Sequence, residues 1–341
     1  MRRGRRVSYK LTIAYDGTDF CGWQKQEPFQ MANGKSQMAH EPGAMPGMEA
    51  ERESLESFDP RAATPPVPKI SEPPPSRKFE RQGLVQREGE DRPREQLRTV
   101  QHVVERAVRE IVHERVDLKG ASRTDSGVHA RGQVAAFSCS GADREPLPDG
   151  RGTCSGWPVE RGVDRLVRAI NGKLPEDVIV HAAEPVADDF DPVIGATSKA
   201  YSYTLHVSRD RAIWDRRYVH QIWDELDLSK MQEAAARIVG ERDFVAFAAA
   251  GHGRLTTVRT VFTCDVTEMA AVDRARRLRI DISGSGFLYN MVRIIAGTLV
   301  ECGRGRMTAD EVSRAIESKD RRNAGPTLPA SGLCLEWIRY K

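Results

Sequence analysis

The sequence lacks the long apolar runs and the paired cysteines that would assign it to several common classes of protein. No hydrophobic stretch approaches the roughly 20 residues of a membrane-spanning helix. The basic N-terminus is followed by no apolar segment, so we expect residues 1–6 to be a basic tail and not a signal peptide. The six cysteines show no Cys-x-x-Cys spacing, which argues against a zinc site and against a secreted disulfide framework. Free thiols in the cytoplasm are the expectation.

Motifs for common cofactors and catalytic metals are missing too. The sequence has no Walker loop, no dinucleotide-binding glycine fingerprint and no His-Glu pattern for a metal. Ser122 and Ser126 lack a nearby base at the spacing of an activated nucleophile. Residues that could carry chemistry must therefore be sought in other patterns.

What the chain does contain is enough apolar residues for a sizeable core and an uneven distribution of charge. Its 341 residues, 39% hydrophobic and 30% charged, suffice for one large or two ordinary domains of a soluble protein. The formal net charge is +3, but residues 27–95 hold 13 acidic and 10 basic residues, which leaves +6 on the remainder. This excess, mostly arginine, is a modest indication of a polyanionic partner.

Residues 27–95 differ from the rest of the chain in composition as well as in charge. They contain more than half of the 19 prolines and show neither helical nor strand periodicity. Such a segment cannot bury enough apolar surface to offset the entropy lost on ordering. We predict a disordered, proline-rich insertion within the first domain.

The first half of the remaining sequence alternates between strand and helix patterns. Side chains alternate over 7–15 as in a half-buried strand, and apolar residues recur at helical spacing over 97–111. Similar patterns predict strands at 116–119, from Gln133 onward and at 178–183, and a helix at 163–170. This order is typical of an α+β unit with helices on one face of its sheet. We predict a first domain at 7–185.

The second half repeats a similar order of elements. Strands are predicted at 201–207, 258–266, 278–282 and 333–337, and helices at 228–239, 287–302 and after a capping box at 308–311. We predict a second domain at 186–341. Two similar halves suggest a pseudo-symmetric molecule with a cleft between them, which is a natural place for a functional site.

One aspartate stands in a loop that is bounded by glycines. Asp125 lies between Gly120 and Gly127, shortly before the strand that begins near Gln133. Turn glycines that hold a carboxylate on a loop between strands can present a reactive group on a rigid scaffold. The alternative is an ordinary Asx-turn. His129, in the same loop, is expected to have a structural hydrogen-bonding role.

Two further side chains are candidates because of their apolar surroundings. Arg293 lies among apolar residues that cover most of a helix, and burying a guanidinium costs free energy unless a carboxylate forms an ion pair with it. An arginine snorkelling at the helix surface is the alternative. Tyr201 lies in an alternating apolar strand, where an ordinary core position is the alternative to a functional one.

Short motifs with a familiar order occur along nearly the whole chain outside residues 27–95. They are Tyr15-Asp16-Gly17, Gly22-Trp23-Gln24, Thr99-Val100-Gln101, Gly120-Ala-x-Arg-Thr-Asp-x-Gly-Val-His129, Gly132-Gln-Val, Ala200-Tyr-x-Tyr203, Asp243-Phe244 and Met291-Val292-Arg293. Together they resemble the tRNA pseudouridine synthase A (TruA) family. The element Arg-Thr-Asp-x-Gly-Val-His is highly specific.

This resemblance implies an enzyme without cofactor or catalytic metal that isomerises uridine to pseudouridine at positions 38–40 of the tRNA anticodon stem-loop. It also implies a homodimer and the pseudouridine synthase fold, in which two RRM-like α/β halves form a mixed, mostly antiparallel sheet with a central cleft. Asp125 matches the catalytic aspartate of the family, and Arg293 matches the arginine that pairs with it. Tyr201 matches the tyrosine that contacts the target uracil, and Arg123 matches an arginine associated with substrate handling.

The sequence departs from the family pattern after Phe190, where Asp191-Pro192-Val193 replaces a run that usually contains arginine. An arginine expected to contact RNA is thus missing near Val193. Two alternatives to the implied activity are kept: a non-catalytic RNA-binding or tRNA-folding protein on the same scaffold, and a pseudouridine synthase for another RNA. Both a covalent route and a glycal route stay open for the aspartate.

Overall fold

A ten-stranded sheet organises the part of the chain that the computed structural model describes, which is residues 6–24, 97–141, 155–249, 256–272 and 275–341. The predicted insertion at 27–95 lies outside the described residues, as do residues 1–5 of the basic tail. None of the helices in the described ranges has the length and apolarity of a membrane span.

The first half confirms the predicted order of strands and helices. Its elements are β1 (Arg6–Tyr15), α1 (Val100–Val112), β2 (Lys119–Gly120), β3 (His129–Ser140), α2 (Val163–Asn171) and β4 (Val178–Val186). Helix α1 begins where the side chain of Thr99 accepts a hydrogen bond from the backbone amide of His102, a regular N-cap. Strand β3 begins four residues earlier than predicted, so His129 is its first residue and not part of the preceding loop.

The second half contains the predicted elements and two short strands that its sequence did not indicate. Its elements are β5 (Ala196–Val207), β6 (His220–Ile222), α3 (Leu228–Ile238), β7 (Gly240–Asp243), β8 (Val258–Val272), β9 (Ala275–Gly284), α4 (Met291–Gly303), α5 (Ala309–Ser318) and β10 (Leu333–Tyr340). Short 3-10 helices occur at Val159–Arg161, Val245–Phe247, Arg321–Asn323 and Ala330–Gly332. The predicted capping box is confirmed, since Thr308 and Glu311 bond reciprocally at the start of α5.

The strand order of the sheet is β4-β1-β3-β10-β5-β9-β8-β7, with β2 added to β3 and β6 added to β5. The pairs are antiparallel except for β3 with β10 and β5 with β6, so the predicted mixed, mostly antiparallel α+β fold is confirmed. Strands of residues 7–185 and of 186–341 lie at opposite ends of this sheet, and the division into two domains stays a prediction. The two sets meet where β3 runs parallel to the last strand, β10.

The faces of β5 show how the sheet separates core from polar residues. Tyr201, Tyr203 and Leu205 are buried and belong to the hydrophobic core, which also includes almost all of α4. On the opposite face, the Ser202 hydroxyl donates a hydrogen bond to Glu336 at 2.6 Å. Tyr201 therefore enters the core layer next to α4, which is the layer that also carries Arg293.

Helix α4 begins at Met291, four residues later than its apolar pattern predicts. Asn290, the residue before it, has a left-handed backbone (φ 60°), which an α-helix cannot include. Phe287 is apolar for another reason, since its ring packs edge-on against Tyr201 with 5.3 Å between centroids. Arg293 consequently lies in the first turn of the helix, where its side chain can reach residues beyond the helix.

The predicted alternation of the last strand fails after Leu335. A register shift between Leu335 and Trp337 moves the following side chains to the opposite faces of the sheet. Trp337 is therefore only half-buried, and Ile338 takes the core position. A bulge of this kind inserts one residue and reverses which side chains face the core. Periodicity alone does not reveal it.

Candidate active site

Asp125 occupies a tight turn between β2 and β3. The backbone amide of Val128 donates to the carbonyl of Asp125 at 3.2 Å, and Gly127, the third residue of the turn, has φ 79°. A positive φ at the third position is the signature of a type II turn and favours glycine there. The turn therefore fixes the backbone of the aspartate, as the glycine spacing predicted.

The segment after β1 packs underneath this loop and holds it in place. The carbonyl of Phe20 accepts hydrogen bonds from the Ser126 hydroxyl at 3.1 Å and from the Gly127 amide at 3.3 Å. The amide of Trp23 donates to the carbonyl of Thr124 at 3.1 Å. The Trp23 indole lies so close to Gly120 that a Cβ there would be 2.1 Å from its nitrogen. These contacts hold both arms of the loop.

The structure brings Asp125 and Arg293 together, although 168 positions separate them in the sequence. One Oδ of Asp125 accepts from Nη1 of Arg293 at 3.3 Å, and the side chains are 27% and 17% exposed. Nε of Arg293 donates to the carbonyl of Leu328 at 2.7 Å, and Nη1 also donates to the side chain of Asn290 at 2.9 Å. The guanidinium is thus held in one orientation against the carboxylate and does not snorkel.

Burial and the ion pair act on Asp125 in opposite directions. Burial raises the pKa of the Asp125 carboxyl, and the charge and hydrogen bond of Arg293 lower it, with a net shift upward. Sequence reasoning anticipates only the effect of the arginine, since it does not measure how much water the loop excludes. A carboxylate with a raised pKa is a better base than an exposed aspartate.

Tyr201 reaches the same site from β5. Its hydroxyl shares a hydrogen bond of 3.0 Å with the hydroxyl of Ser122, three residues before Asp125. Burial raises the pKa of Tyr201 to about 12, with a further contribution from the charge of Asp125. The phenol is therefore neutral at physiological pH. Tyr201 occupies a buried core position, and its hydroxyl also contacts the loop that carries Asp125. Its role in binding the substrate stays a prediction.

Arg123 has a different environment from the other three predicted site residues. It is exposed, and among the described residues it has no hydrogen-bond or ion-pair partner. The structure does not place it in the Asp125–Arg293 pair. Its role in substrate handling stays a prediction.

Gln133 supports the site and was not recognised as a functional residue from the sequence. It is fully buried, and its side-chain oxygen accepts from the amides of Ser122 at 3.3 Å and Val134 at 3.1 Å. Its side-chain nitrogen donates to the carbonyl of Ser122 at 2.7 Å. The residue thus fixes the backbone that carries the hydroxyl partner of Tyr201. A lone amide among small and apolar residues on a buried strand was the available signal.

Asn290 is a second supporting residue that sequence reasoning missed. Its left-handed backbone ends the loop before α4, and its side chain makes the bond to Arg293 described above instead of capping the helix. Asparagine tolerates this conformation better than most residues. The predicted continuous helix from Phe287 concealed this position.

His129 has the structural role that the sequence predicts. Its Nδ1 accepts from the backbone amide of Gly17 at 3.0 Å, so the proton resides on Nε2, which donates to the carbonyl of Arg217 at 2.8 Å. Burial lowers the pKa of His129, although nearby Asp16 opposes the shift. A neutral imidazole therefore connects three segments next to the Asp125 loop.

Residues 191–194, which lack the arginine expected from the family pattern, form a compact turn. Asp191 accepts from the amides of Val193 at 2.8 Å and Ile194 at 3.2 Å, and it pairs with Lys119. The Tyr340 hydroxyl donates to the carbonyl of Pro192 at 2.9 Å. Ile194 is strongly exposed. The turn is thus stabilised by local contacts, and its tip presents aliphatic side chains in place of the arginine that the family resemblance implies.

The described residues contain no group of three or more histidine, cysteine or acidic side chains that could hold a metal ion. Arrangements of carboxylate, arginine and phenol act on a substrate through charge, nucleophilic attack and proton transfer. The site therefore offers one reactive carboxylate, one fixed cation and one neutral hydroxyl in partly buried surroundings.

Comparison with known proteins gives consistent matches. A model of the tRNA pseudouridine synthase family matches residues 234–341. The tRNA pseudouridine synthase A of Acetivibrio thermocellus is 40% identical over 243 residues, which cover 71% of this chain and 90% of that protein. The enzyme of the same name from Geobacter sulfurreducens is 40% identical over 242 residues, with the same two coverages. That of Clostridium acetobutylicum is 31% identical over 331 residues, 97% of this chain and 98% of that protein.

A solved structure, that of the archaeal box H/ACA sRNP Nop10-Cbf5 complex, aligns over 67% of this chain and 56% of that chain. The identity is 10% and the TM-score 0.26.

Proposed function

This chain belongs to the tRNA pseudouridine synthase A family, and we propose that it uses the Asp125 carboxylate to isomerise uridine to pseudouridine in tRNA. It is an isomerase that acts on tRNA. The observation that supports the role of Asp125 is its ion pair with Arg293, 3.3 Å long, beside the Tyr201 hydroxyl. The bond between Tyr201 and Ser122, which lies on the loop of Asp125, supports the inclusion of Tyr201 in the proposed site.

The reaction needs a group of the kind that Asp125 supplies. The C1′–N1 bond of uridine must break, the uracil must turn, and a C1′–C5 bond must form. The C5 proton is then lost while N1 gains one, so the atoms balance without a co-reactant. A carboxylate can attack C1′ as a nucleophile, or it can remove a sugar proton as a base in a glycal route. The raised pKa of Asp125 suits either role.

Arg293 and Tyr201 have complementary roles in this proposal. Arg293 orients the carboxylate and balances its charge in surroundings that exclude much of the water. Its Nη2 has no partner among the described residues and can donate to the substrate. Tyr201, neutral and fixed by Ser122, contacts the uracil and assists in removing the C5 proton. Arg123, exposed beside the site, contacts the RNA.

The target positions and the assembly are the finer parts of the proposal. We infer uridines 38–40 of the anticodon stem-loop as the targets, on the strength of the motif resemblance. A base in a stem must be flipped out, which costs a few kcal/mol, and contacts of arginines with phosphates offset that cost. A homodimer in the cytoplasm is proposed on the same resemblance. The free thiols of the described cysteines fit a reducing compartment.

The experiment compares wild type with Asp125→Asn on unmodified tRNA and maps pseudouridine by carbodiimide modification. We expect wild type to modify positions 38–40 and Asp125→Asn to lose at least a thousandfold in single-turnover rate. Asp117→Asn is the matched control, since Asp117 is almost fully exposed and 3.7 Å from its partner Arg109. Normal activity in Asp125→Asn would refute the assigned role. Wild type that binds tRNA without forming pseudouridine would favour the non-catalytic alternative.

The substrate is tested separately in cells that lack the gene. Loss of pseudouridine at 38–40 of cellular tRNA is the expected result. Unchanged tRNA together with loss from another RNA would favour the third possibility, a synthase for that RNA.

A further inference from the structure

The loop between β5 and β6, residues 208–219, exposes apolar side chains to an unusual degree. Trp214 is 87% exposed and Ile213 is 63% exposed at the tip of this loop. A tryptophan that a fold leaves almost wholly in water contributes nothing to the core, and such exposure marks a surface that binds a partner. We call residues 208–219 the arginine loop because of its charge.

Four exposed arginines belong to the arginine loop: Arg209, Arg211, Arg216 and Arg217. Its two carboxylates are Asp210 and Asp215, and Asp215 is committed to an ion pair with buried Arg277. Arg217 lies 3.7 Å from Asp16 and 3.8 Å from Asp19. Among the described residues, Arg209 and Arg211 have no ion-pair partner. Three arginines and one aspartate of the loop are thus left outside these ion pairs, and this excess of positive charge favours a polyanionic partner.

The arginine loop is held in shape from within. Gln221 of β6 spans it, since its side-chain nitrogen donates to the carbonyl of Ser208 at 2.6 Å and its oxygen accepts from the amide of Ala212 at 3.3 Å. At the tip, Arg216 donates to the carbonyl of Ile213 at 3.0 Å, and the amide of Tyr218 donates to the carbonyl of Asp215 at 2.8 Å. Trp214 is therefore presented on an ordered turn, so binding requires little further ordering.

The base of the arginine loop is attached to the turn after β1 and to the first residue of β3. The Tyr218 hydroxyl donates to Asp16 at 2.8 Å, and the carbonyl of Arg217 accepts from His129. The rings of His129 and Tyr218 lie 5.0 Å apart. His129 is the first residue of β3 and lies four residues after Asp125, so the arginine loop contacts the strand into which the Asp125 loop leads.

We propose that the arginine loop is a binding site for an unpaired nucleotide of the RNA substrate, whose base stacks on Trp214. The flanking phosphates contact Arg209, Arg211 and Arg216. This inference rests on the proposed function, because it names a further surface for the same RNA. Stacking on an exposed aromatic ring combined with arginine contacts to the backbone is the usual way in which proteins hold single-stranded nucleotides.

A second copy of this chain is the other partner that could bind at the exposed Trp214. In a two-fold symmetric contact centred on the loop, the same patch of each copy would face its equivalent. The arginines of the two loops would then lie close together, and like charges brought together in an interface oppose association. The charge of the loop therefore favours RNA over a self-contact.

The test measures the dissociation constant of the full-length chain for an unmodified tRNA transcript, together with the single-turnover rate at saturating tRNA. Trp214→Ala should weaken binding about tenfold, equivalent to about 1.4 kcal/mol, and leave the saturated rate within twofold of wild type. Trp214→Phe should restore most of the affinity, because a phenyl ring still stacks. Trp223→Ala, which removes a tryptophan that is 53% exposed outside the loop, is the matched control and should bind normally.

The role of the arginines is tested separately by the salt dependence of tRNA binding. The double variant Arg209→Ala and Arg211→Ala should weaken binding and reduce the slope of log affinity against log salt by about one to two. Unchanged affinity in both the tryptophan and arginine variants would overturn the inference. So would a Trp214→Ala variant whose sedimentation shows loss of the oligomer while tRNA affinity stays normal. Failure of the proposed function would appear differently, as wild type that forms no pseudouridine.

Discussion

Arg293 shows how a single side chain is made ready for a reaction by neighbours that take no part in it. Its Nε is held by the Leu328 carbonyl, and its Nη1 is shared between Asn290 and Asp125. The two anchors other than Asp125 fix the guanidinium plane before any substrate arrives. Fixed charge of this kind needs no reorganisation during the reaction.

Asn290 is the residue where this support can be tested. Asn290→Gly removes the bond to Arg293 but keeps a residue that accepts φ 60°, whereas Asn290→Ala removes the bond and strains the backbone as well. We expect both variants to lose about tenfold in single-turnover rate, the cost of about 1.4 kcal/mol for a misplaced charge. Only Asn290→Ala should lose a further 1–2 kcal/mol or so of stability in urea unfolding. Normal rates in both would show that Asn290 does not position the arginine.

The raised pKa of Asp125 predicts the acid side of the pH–rate profile. Because the ionised carboxylate reacts, the single-turnover rate should fall as the pH drops through a pKa above the 3.8 of a free side chain. Arg293→Met removes the group that lowers this pKa, so its acid limb should move to higher pH. Arg293→Lys keeps a charge and should shift less. A limb that moves to lower pH in Arg293→Met would contradict the assignment.

The raised pKa of Asp125 also makes the stability of the fold depend on pH, and this contribution to stability is largest at low pH. Since the fold favours the protonated carboxyl, this contribution to stability is complete below pH 3.8 and is lost as the pH rises through the raised pKa.

At the scale of elements, the sequence predicts the interior of helices and strands well and their ends less well. The spacing of Val100, Val104 and Val108 along α1 follows the helical period because one face of the helix is buried. The predicted start of α4 is wrong because Phe287, which is partly buried, and Leu288, which is buried, belong to a loop and not to the helix. Burial produces the apolar pattern at both places, but only in α1 do the buried residues belong to a helix.

Helix α4 also contains a close approach that constrains the site. A Cβ at Gly297 would lie 1.9 Å from the carbonyl oxygen of Pro326, two residues before the carbonyl that holds Arg293. Gly297→Ala should therefore cost about 1–3 kcal/mol of stability and lower the single-turnover rate, because the 326–328 segment must move. Gly172→Ala is the control, since its Cβ would meet nothing closer than 3.5 Å and its φ is −66°. Equal unfolding midpoints for the two variants would refute this account.

At the scale of the whole molecule, the parallel pairing of β3 with β10 assembles the site. The Asp125 loop leads into β3, and β10 lies between β3 and β5, the strand that carries Tyr201. Residue patterns singled out Asp125, Tyr201 and Arg293 as candidates, and the family resemblance predicted a role for each of them. Gln133 and Asn290 were missed because their contacts with Ser122 and Arg293 depend on the turns that the backbone makes at these positions, which residue patterns do not reveal.

Residues 27–95 are expected to be disordered, and this expectation stays a prediction. The described residues on either side of this segment are hydrogen-bonded to each other. The amide of Cys21 donates to the carbonyl of Arg98 at 2.9 Å, and the amide of Gln101 donates to the carbonyl of Trp23 at 3.0 Å. The two ends of the segment are therefore close together, and a short Gly-Ser linker can join them without distorting β1 or α1.

We expect a chain with residues 27–95 replaced by such a linker to keep its unfolding midpoint within a few degrees and its pseudouridine yield within twofold. The thermal unfolding curve and the carbodiimide map of the deletion variant provide the two measurements. Adding Asp125→Asn to the deletion should abolish the modification, which shows that the shortened chain uses the same site. A large loss of stability would mean that the segment packs against the fold. Normal stability with lost activity would mean that it contributes to RNA binding, because the site residues all lie outside it.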